Sequence, residues 1–70
     1  MTNWNQILSE LKQSGQVFTI YLRYMQKDTL AKIRDVRVSE IFQDHVKLEN
    51  ESGFGILSYD DILYLSIPKR

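Results

Sequence analysis

The hydrophobic periodicity of the chain changes once, at Ser14-Gly15, and this change limits the folds that the chain can adopt. Before this point, apolar residues recur with the period of one helix face, at Trp4, Ile7, Leu8 and Leu11. After this point, apolar and polar residues alternate as they do in strands that are buried on one side. The sequence therefore predicts one short N-terminal helix followed by β-structure.

Both ends of the predicted helix carry residues that suit helix caps. Thr2 or Asn3 fits the N-cap, because its side-chain oxygen can accept a backbone N–H that has no helical partner. Gln6 follows Asn3 at the spacing of a capping box, and Gly15 tolerates the left-handed backbone that often ends a helix. A helix this short is unstable alone, so Trp4 is expected to anchor it on the barrel or on a neighbouring copy.

Five strands are predicted after the helix, separated by short polar turns. They span residues 17–25, about 30–41, 45–49, 54–58 and 62–67. Pro68 ends the last strand because it has no N–H to donate. The predicted fold is mainly β and forms a single domain.

The second predicted strand changes phase midway. Ala31 and Ile33 share one parity, whereas Val36 and Val38 share the other. One extra residue in a strand reverses the faces of the side chains that follow, so the phase change predicts a β-bulge or a sharp bend. Strongly bent strands allow small barrels to turn their corners, and the sequence therefore predicts a bent, five-stranded antiparallel SH3-like barrel.

The composition excludes several ways of stabilising so short a chain. A domain of 70 residues buries little apolar surface and usually needs disulfides, a metal or self-association. The chain has no cysteine and a single histidine, His45, so we expect self-association and no metal. It has no glycine-rich phosphate loop and no plausible nucleophile set, so we expect neither an enzyme nor a cofactor.

The charge of the chain is balanced overall but uneven along the sequence. The formal net charge is zero, which argues against general polyanion binding by the whole chain. Residues 23–37 contain five basic and two acidic side chains, whereas residues 40–61 contain six acidic and one basic. Either one face is cationic and another anionic, or both signs mix on a solvated surface.

The sequence also bears on location. No apolar run approaches the ~20 residues of a membrane span. The N-terminus lacks the basic start and the apolar stretch of a signal peptide. We therefore expect a cytoplasmic protein that does not interact with a membrane.

Three segments resemble the bacterial RNA chaperone Hfq, a member of the Sm-like (LSm) family. Ile7-Leu8-Ser9-Glu10-Leu11 leads without a gap to Phe18-Thr19-Ile20-Tyr21-Leu22, at the spacing of the family pattern F-L-N-x-L followed by V-x-I-Y-L. Near the end, Tyr59-Asp60-Asp61-Ile62-Leu63 and Pro68-Lys69-Arg70 match the spacing of Y-K-H-A-I and P-S-R. Residues 38–50 are similar to the bent strand of the family and to the V-x-L-x-N strand after it.

The resemblance, which would make this chain a divergent member of the family, implies a fold and an assembly. It implies one Sm-like domain over residues 1–70, with the helix in residues 1–15 and the barrel in residues 17–67. It further implies a non-enzymatic homo-oligomeric ring, a hexamer or similar, that binds RNA in post-transcriptional regulation. The hairpin between the first two strands is longer than in the family, and the glycine expected near Val36 is absent.

The resemblance also implies sites. Tyr21 matches the tyrosine that stacks adenine on one face of the ring, and Arg23, Lys27 and Lys32 are expected to meet phosphate there. For Tyr21, the alternative is an ordinary amphipathic strand residue. On the opposite face, Gln43 and Phe42 partly represent the glutamine and the aromatic residue that stack bases near the pore.

The pore-facing residues implied by the family are Tyr59, Asp60 and Asp61, and they depart from its pattern. Asp60-Asp61 replaces the Lys-His pair that grips uridine-rich RNA, and clustered carboxylates would repel phosphate. We therefore expect adenosine-rich single-stranded RNA to be favoured over uridine-rich RNA. The alternative for Asp60-Asp61 is a tight turn in which the Asp side chains accept backbone N–H groups.

Contacts between subunits are expected on the last two strands, because rings remove exposed sheet edges. The residues proposed for them are Phe54, Ile56, Tyr64 and Leu65. Alternate residues of the same strands are expected to fill the barrel interior. A second function remains open, namely an Sm-like protein-interaction module that has lost RNA binding, and both the neutral charge and Asp60-Asp61 favour it.

Overall fold

The computed structural model describes residues 3–69, so the predictions for Thr2 as a cap and for Arg70 lie outside it. The helix and strands are α1 (Trp4–Ser14), β1 (Phe18–Gln26), β2 (Thr29–Ile41), β3 (His45–Asn50), β4 (Gly53–Ser58) and β5 (Ile62–Ser66). A short 3-10 helix, Tyr59–Asp61, precedes β5. The predicted fold class is confirmed: one N-terminal helix is followed by a five-stranded antiparallel sheet.

The order of the strands in the sheet is β4-β3-β2-β1-β5, and each neighbouring pair is antiparallel. The long strand β2 is therefore central, and β4 and β5 are the two edges. Within residues 3–69, each edge strand pairs with one neighbour only. Edge backbone groups of this kind are open to pairing with another chain.

Helix α1 begins and ends as its caps predict. The Asn3 Oδ1 atom accepts the backbone N–H of Gln6 at 3.1 Å. Gly15 adopts φ +70° and donates its N–H to the Leu11 carbonyl at 3.0 Å. The helix packs on β2, and Trp4 lies half-buried against the core of its own domain. Trp4 was expected to anchor the helix on the barrel or on a neighbouring copy, and in the structure it packs on its own domain.

The predicted bulge lies in the middle of β2. Phe18 pairs with Val36 and Ile20 pairs with Ile33, so β2 advances three residues where β1 advances two. The bulge contains Asp35, whose backbone adopts the left-handed conformation at φ +55°. Aspartate tolerates this conformation better than most residues with a Cβ atom, and it stands beside the position where a glycine was expected.

The core is apolar and contains residues of the helix and of four strands. Its buried residues are Leu8, Leu11, Phe18, Ile20, Leu22, Ala31, Val36, Val38, Val46, Leu48 and Ile62. Strand β4 contributes Leu57, which is half-buried against this core. In the part of the chain that the structure describes, no helix has the length and apolar character needed to span a membrane.

Candidate functional site

Tyr21 and Tyr64 form a stacked pair on the sheet face opposite the core. They are direct partners across β1 and β5. The centroids of their rings are 4.5 Å apart and the ring planes differ by 6°. Ile20 and Leu22, the neighbours of Tyr21 in β1, point into the core, so Tyr21 points away from it.

Lys32 completes this arrangement from the other side. It is the partner of Tyr21 in β2, and its Nζ atom lies 5.8 Å from the centroid of the Tyr21 ring. Because β2 and β5 flank β1 on opposite sides, Lys32 and Tyr64 cover opposite faces of that ring. A cation over an aromatic ring is attracted to it by about 0.5–1 kcal/mol at an exposed site.

Arg23 is two residues after Tyr21 in β1. Its Nε atom donates a hydrogen bond to the Ile62 carbonyl at 3.0 Å, so the side chain crosses from β1 to β5. Among the described residues, neither Arg23 nor Lys32 makes an ion pair. Partial burial, with Tyr21 nearby, raises the pKa of the Tyr64 hydroxyl.

The other residues predicted to bind RNA lie elsewhere. Lys27 is exposed in the two-residue turn of the β1–β2 hairpin, at φ +59°. Gln43 is exposed in the turn between β2 and β3, at the end of β2 that lies away from this hairpin. The structure therefore brings together Tyr21, Arg23 and Lys32, adds Tyr64, and places Gln43 apart from them.

The residues predicted to face a pore form the 3-10 helix before β5. Asp60 and Asp61 are exposed, whereas Tyr59 is half-buried against the core. The Ser58 hydroxyl accepts the Asp60 backbone N–H at 3.3 Å, so a serine side chain rather than an aspartate caps the turn. Tyr59 donates its hydroxyl hydrogen to the Phe42 carbonyl at 2.8 Å, and burial raises the pKa of this hydroxyl.

At the turn between β2 and β3, His45 makes a hydrogen bond and an aromatic stack. The Asp44 Oδ1 and His45 Nδ1 atoms are 2.6 Å apart. This hydrogen bond lowers the pKa of Asp44. The His45 ring also stacks on Phe42, with ring centroids 4.5 Å apart.

Comparison with known proteins leaves the family of the chain open. No protein-family model, curated protein or solved structure matches it. Among residues 3–69, no three acidic or histidine side chains are grouped as a metal site requires.

The edge strand β4 exposes two large apolar side chains. Phe54 is 69% exposed and Ile56 is 63% exposed. The Nζ atom of Lys47, on the neighbouring strand, lies 4.4 Å from the centroid of the Phe54 ring. On the opposite edge, Tyr64 is 45% exposed, whereas Leu65 is half-buried against the core. Three of the four residues expected at a subunit contact are thus on the surface.

Sequence reasoning assigned Tyr64 to a subunit contact and did not pair it with Tyr21. The available signal was the outward position of both tyrosines in strands of alternating polarity. That signal becomes specific only when β1 and β5 are known to be neighbours, since the two residues are far apart in the sequence.

Proposed function

We propose that the chain assembles into an Hfq-like, Sm-like homo-oligomeric ring that binds single-stranded RNA in the cytoplasm. The observation that carries this proposal is the stacked Tyr21–Tyr64 pair, with Lys32 and Arg23 beside it. Proteins that bind single-stranded nucleic acids combine aromatic faces for the bases with cations for the phosphates. The role is non-enzymatic: a ring that holds RNA strands raises the local concentration of their pairing partners.

The two sheet edges support the assembly. Strand β4 of one copy can pair with β5 of the next, and this contact uses two different surfaces of the chain. When the rotation between successive copies closes, repetition of such a contact forms a ring and leaves no free edge. The exposed Phe54 and Ile56 would lose contact with water on assembly, which adds apolar burial that a 70-residue domain lacks on its own.

The distribution of charge supports a preference among RNA sequences. Asp60 and Asp61 are both exposed in the 3-10 helix, where their carboxylates disfavour phosphate. The tyrosine pair has cations beside it, and within residues 3–69 these cations form no ion pair with an acidic residue. We therefore expect adenosine-rich RNA to bind at the tyrosine pair, and uridine-rich RNA to bind weakly at Asp60 and Asp61.

A fluorescence anisotropy titration with labelled adenosine-rich and uridine-rich RNA, at several salt concentrations, tests this function. The adenosine-rich strand should bind, and its affinity should fall as the salt concentration rises, because phosphate contacts release counterions. A variant with Asp60→Lys and Asp61→His should gain affinity for the uridine-rich strand without losing the other. Binding that is absent or insensitive to salt would overturn the proposal.

A second function is an Sm-like module that binds a protein. The observation that favours it is the exposed pair of carboxylates at Asp60 and Asp61, which suits a basic protein segment better than RNA. The titration separates the two functions. An assembled protein that ignores both RNA strands, even at low salt, would support the protein-binding module.

A further inference from the structure

We propose that an unpaired base of the bound strand stacks on Tyr64, and that Tyr21 supports this contact from beneath. The inference rests on the proposed RNA binding and identifies the residue that receives the base. A base needs a free ring face to stack on, and the environments of the two tyrosines differ in this respect. The sequence alone pointed to Tyr21.

One face of the Tyr21 ring is covered by Tyr64, and a cation lies near the other face. The Tyr64 ring covers one face, with centroids 4.5 Å apart and planes within 6° of each other. The Nζ atom of Lys32 lies near the other face, at 5.8 Å from the centroid. A base can reach Tyr21 only if one of these neighbours moves away, which costs the interaction that the neighbour makes.

The Tyr64 ring keeps one face open. Its inner face lies on Tyr21, and within residues 3–69 no other ring or cation lies over it. The residue is 45% exposed and belongs to the edge strand β5. Pairing of β5 with β4 of another copy would set a β4 side chain beside this face, as Lys32 is set beside Tyr21, and the base would stack on the part of the ring that this side chain leaves uncovered.

A base on Tyr64 would extend an existing column of groups. The order would be the Lys32 ammonium group, the Tyr21 ring, the Tyr64 ring and the base, across three adjacent strands. The guanidinium group of Arg23, fixed beside β5 by its bond to Ile62, is placed for a phosphate of the same strand. Stacking tolerates every base, and the larger ring of adenine covers more of a tyrosine than uracil does.

Variants at the two tyrosines separate their roles. We expect Tyr64→Leu to weaken binding of the adenosine-rich RNA by about 5- to 150-fold, the usual effect of losing one stacked base. Tyr64→Phe keeps the ring face and should bind within about twofold of the unsubstituted protein. Tyr21→Leu removes the support but not the open face, so it should weaken binding less than Tyr64→Leu does.

A fluorescence measurement detects the stack directly. Tyr64→Trp places an indole at the open face, and a base stacked on it should quench its emission. In Tyr21→Trp, the emission of the added tryptophan should not be quenched by RNA. Any quenching should be no larger than that which the unsubstituted protein shows through its single tryptophan, Trp4. The solution mass of each variant, measured by light scattering, shows whether a loss of affinity arises from a loss of assembly. The Trp variants keep an aromatic ring and test the stack even if Tyr64→Leu fails to assemble.

The outcomes distinguish this inference from the proposed function. If the unsubstituted protein binds no RNA, both are wrong. If it binds RNA but Tyr64→Leu retains full affinity while Tyr21→Leu loses it, only the assignment to Tyr64 is wrong. Loss of affinity in Tyr64→Leu, retention in Tyr64→Phe and quenching in Tyr64→Trp together would establish the assignment.

Discussion

The Tyr59 hydroxyl donates a hydrogen bond to the backbone carbonyl of Phe42, with the two oxygens 2.8 Å apart. The Asn5 side chain donates to the same carbonyl at 3.4 Å. The backbone N–H of Tyr59 donates to the Asp44 carbonyl at 3.1 Å. One residue of the 3-10 helix thus connects to the turn between β2 and β3, close to the start of α1. These bonds hold the segment that carries the exposed acidic pair.

Tyr59→Phe should lower the free energy of unfolding by about 1 kcal/mol at neutral pH, because it removes this hydrogen bond. It should also change the dependence of stability on pH. Burial raises the pKa of Tyr59, so folding favours its neutral form. This stabilisation is complete below the pKa of the unfolded tyrosine, about 10, and is lost as the pH rises through the higher folded value. Urea unfolding at pH 7, 9 and 10.5 measures both effects.

Tyr24→Phe is the matched control, because Tyr24 is 57% exposed and has no hydrogen bond within residues 3–69. Its stability should stay within about 0.5 kcal/mol of the unsubstituted protein. Tyr64, whose pKa is also raised, contributes to the alkaline loss in every one of these proteins. A Tyr59→Phe variant that loses as much stability above pH 10 as the unsubstituted protein would contradict the prediction.

The bulge in β2 predicts which substitutions at Asp35 destabilise the domain and which leave its stability unchanged. This residue adopts φ +55°, which costs a β-branched side chain more than it costs aspartate, asparagine or glycine. Asp35→Val should destabilise the domain by about 1–2 kcal/mol, and Asp35→Gly or Asp35→Asn should change its stability little. Arg37→Val, at an exposed β2 position with ordinary backbone, should stay within about 0.5 kcal/mol. Thermal unfolding of the four variants checks this order, and equal effects at the two positions would count against it.

Two glycines should respond differently to alanine. Gly15 has φ +70° and Gly55 does not have a positive φ, while an added Cβ meets no atom within 4 Å at either site. Gly15→Ala should therefore cost about 1 kcal/mol through backbone strain alone. Gly55→Ala should be neutral or should stabilise the domain by up to about 1 kcal/mol, since it restricts the unfolded chain. The midpoints of chemical unfolding compare the two directly, and similar losses would refute the explanation.

The exposed apolar residues of β4 should matter for assembly and not for folding of a single copy. The double variant Phe54→Asp with Ile56→Asp should reduce the solution mass to that of one chain and leave the circular dichroism spectrum unchanged. Met25→Asp is the control, because Met25 is 57% exposed, close to Ile56 at 63%, but lies on β1 and not on either edge strand β4 or β5. Assembly that survives the double variant would place the subunit contact elsewhere.

Much of the fold follows from local patterns in the sequence. The stripe from Trp4 to Leu11 predicted α1, and the phase change between Ile33 and Val36 predicted the bulge. These predictions succeeded because burial on one side imposes a period on each helix or strand. The register of β1 is irregular as well, between Tyr21 and Met25. No pattern predicted this, because both faces are exposed from Arg23 onward and no burial rhythm marks an extra residue there.

The site was less predictable than the fold. Tyr21 was found from a family resemblance, but its stack with Tyr64 depends on which strands are neighbours in the sheet. Tyr59 bonds a backbone carbonyl, an acceptor that every residue carries and that leaves no mark in the sequence. Leu65 directly follows the outward-facing Tyr64 in β5, so alternation turns it toward the core, and the expectation that both residues lie at a subunit contact overlooked this.

The most direct test is the solution mass of the unsubstituted protein at micromolar concentration, measured by light scattering with and without adenosine-rich RNA. Our account predicts a mass several times 8.3 kDa that does not change with protein concentration, as expected for a closed ring, and a further increase when the RNA binds. A mass of 8.3 kDa would contradict the ring, and a ring whose mass is unchanged by the RNA would contradict its proposed ligand.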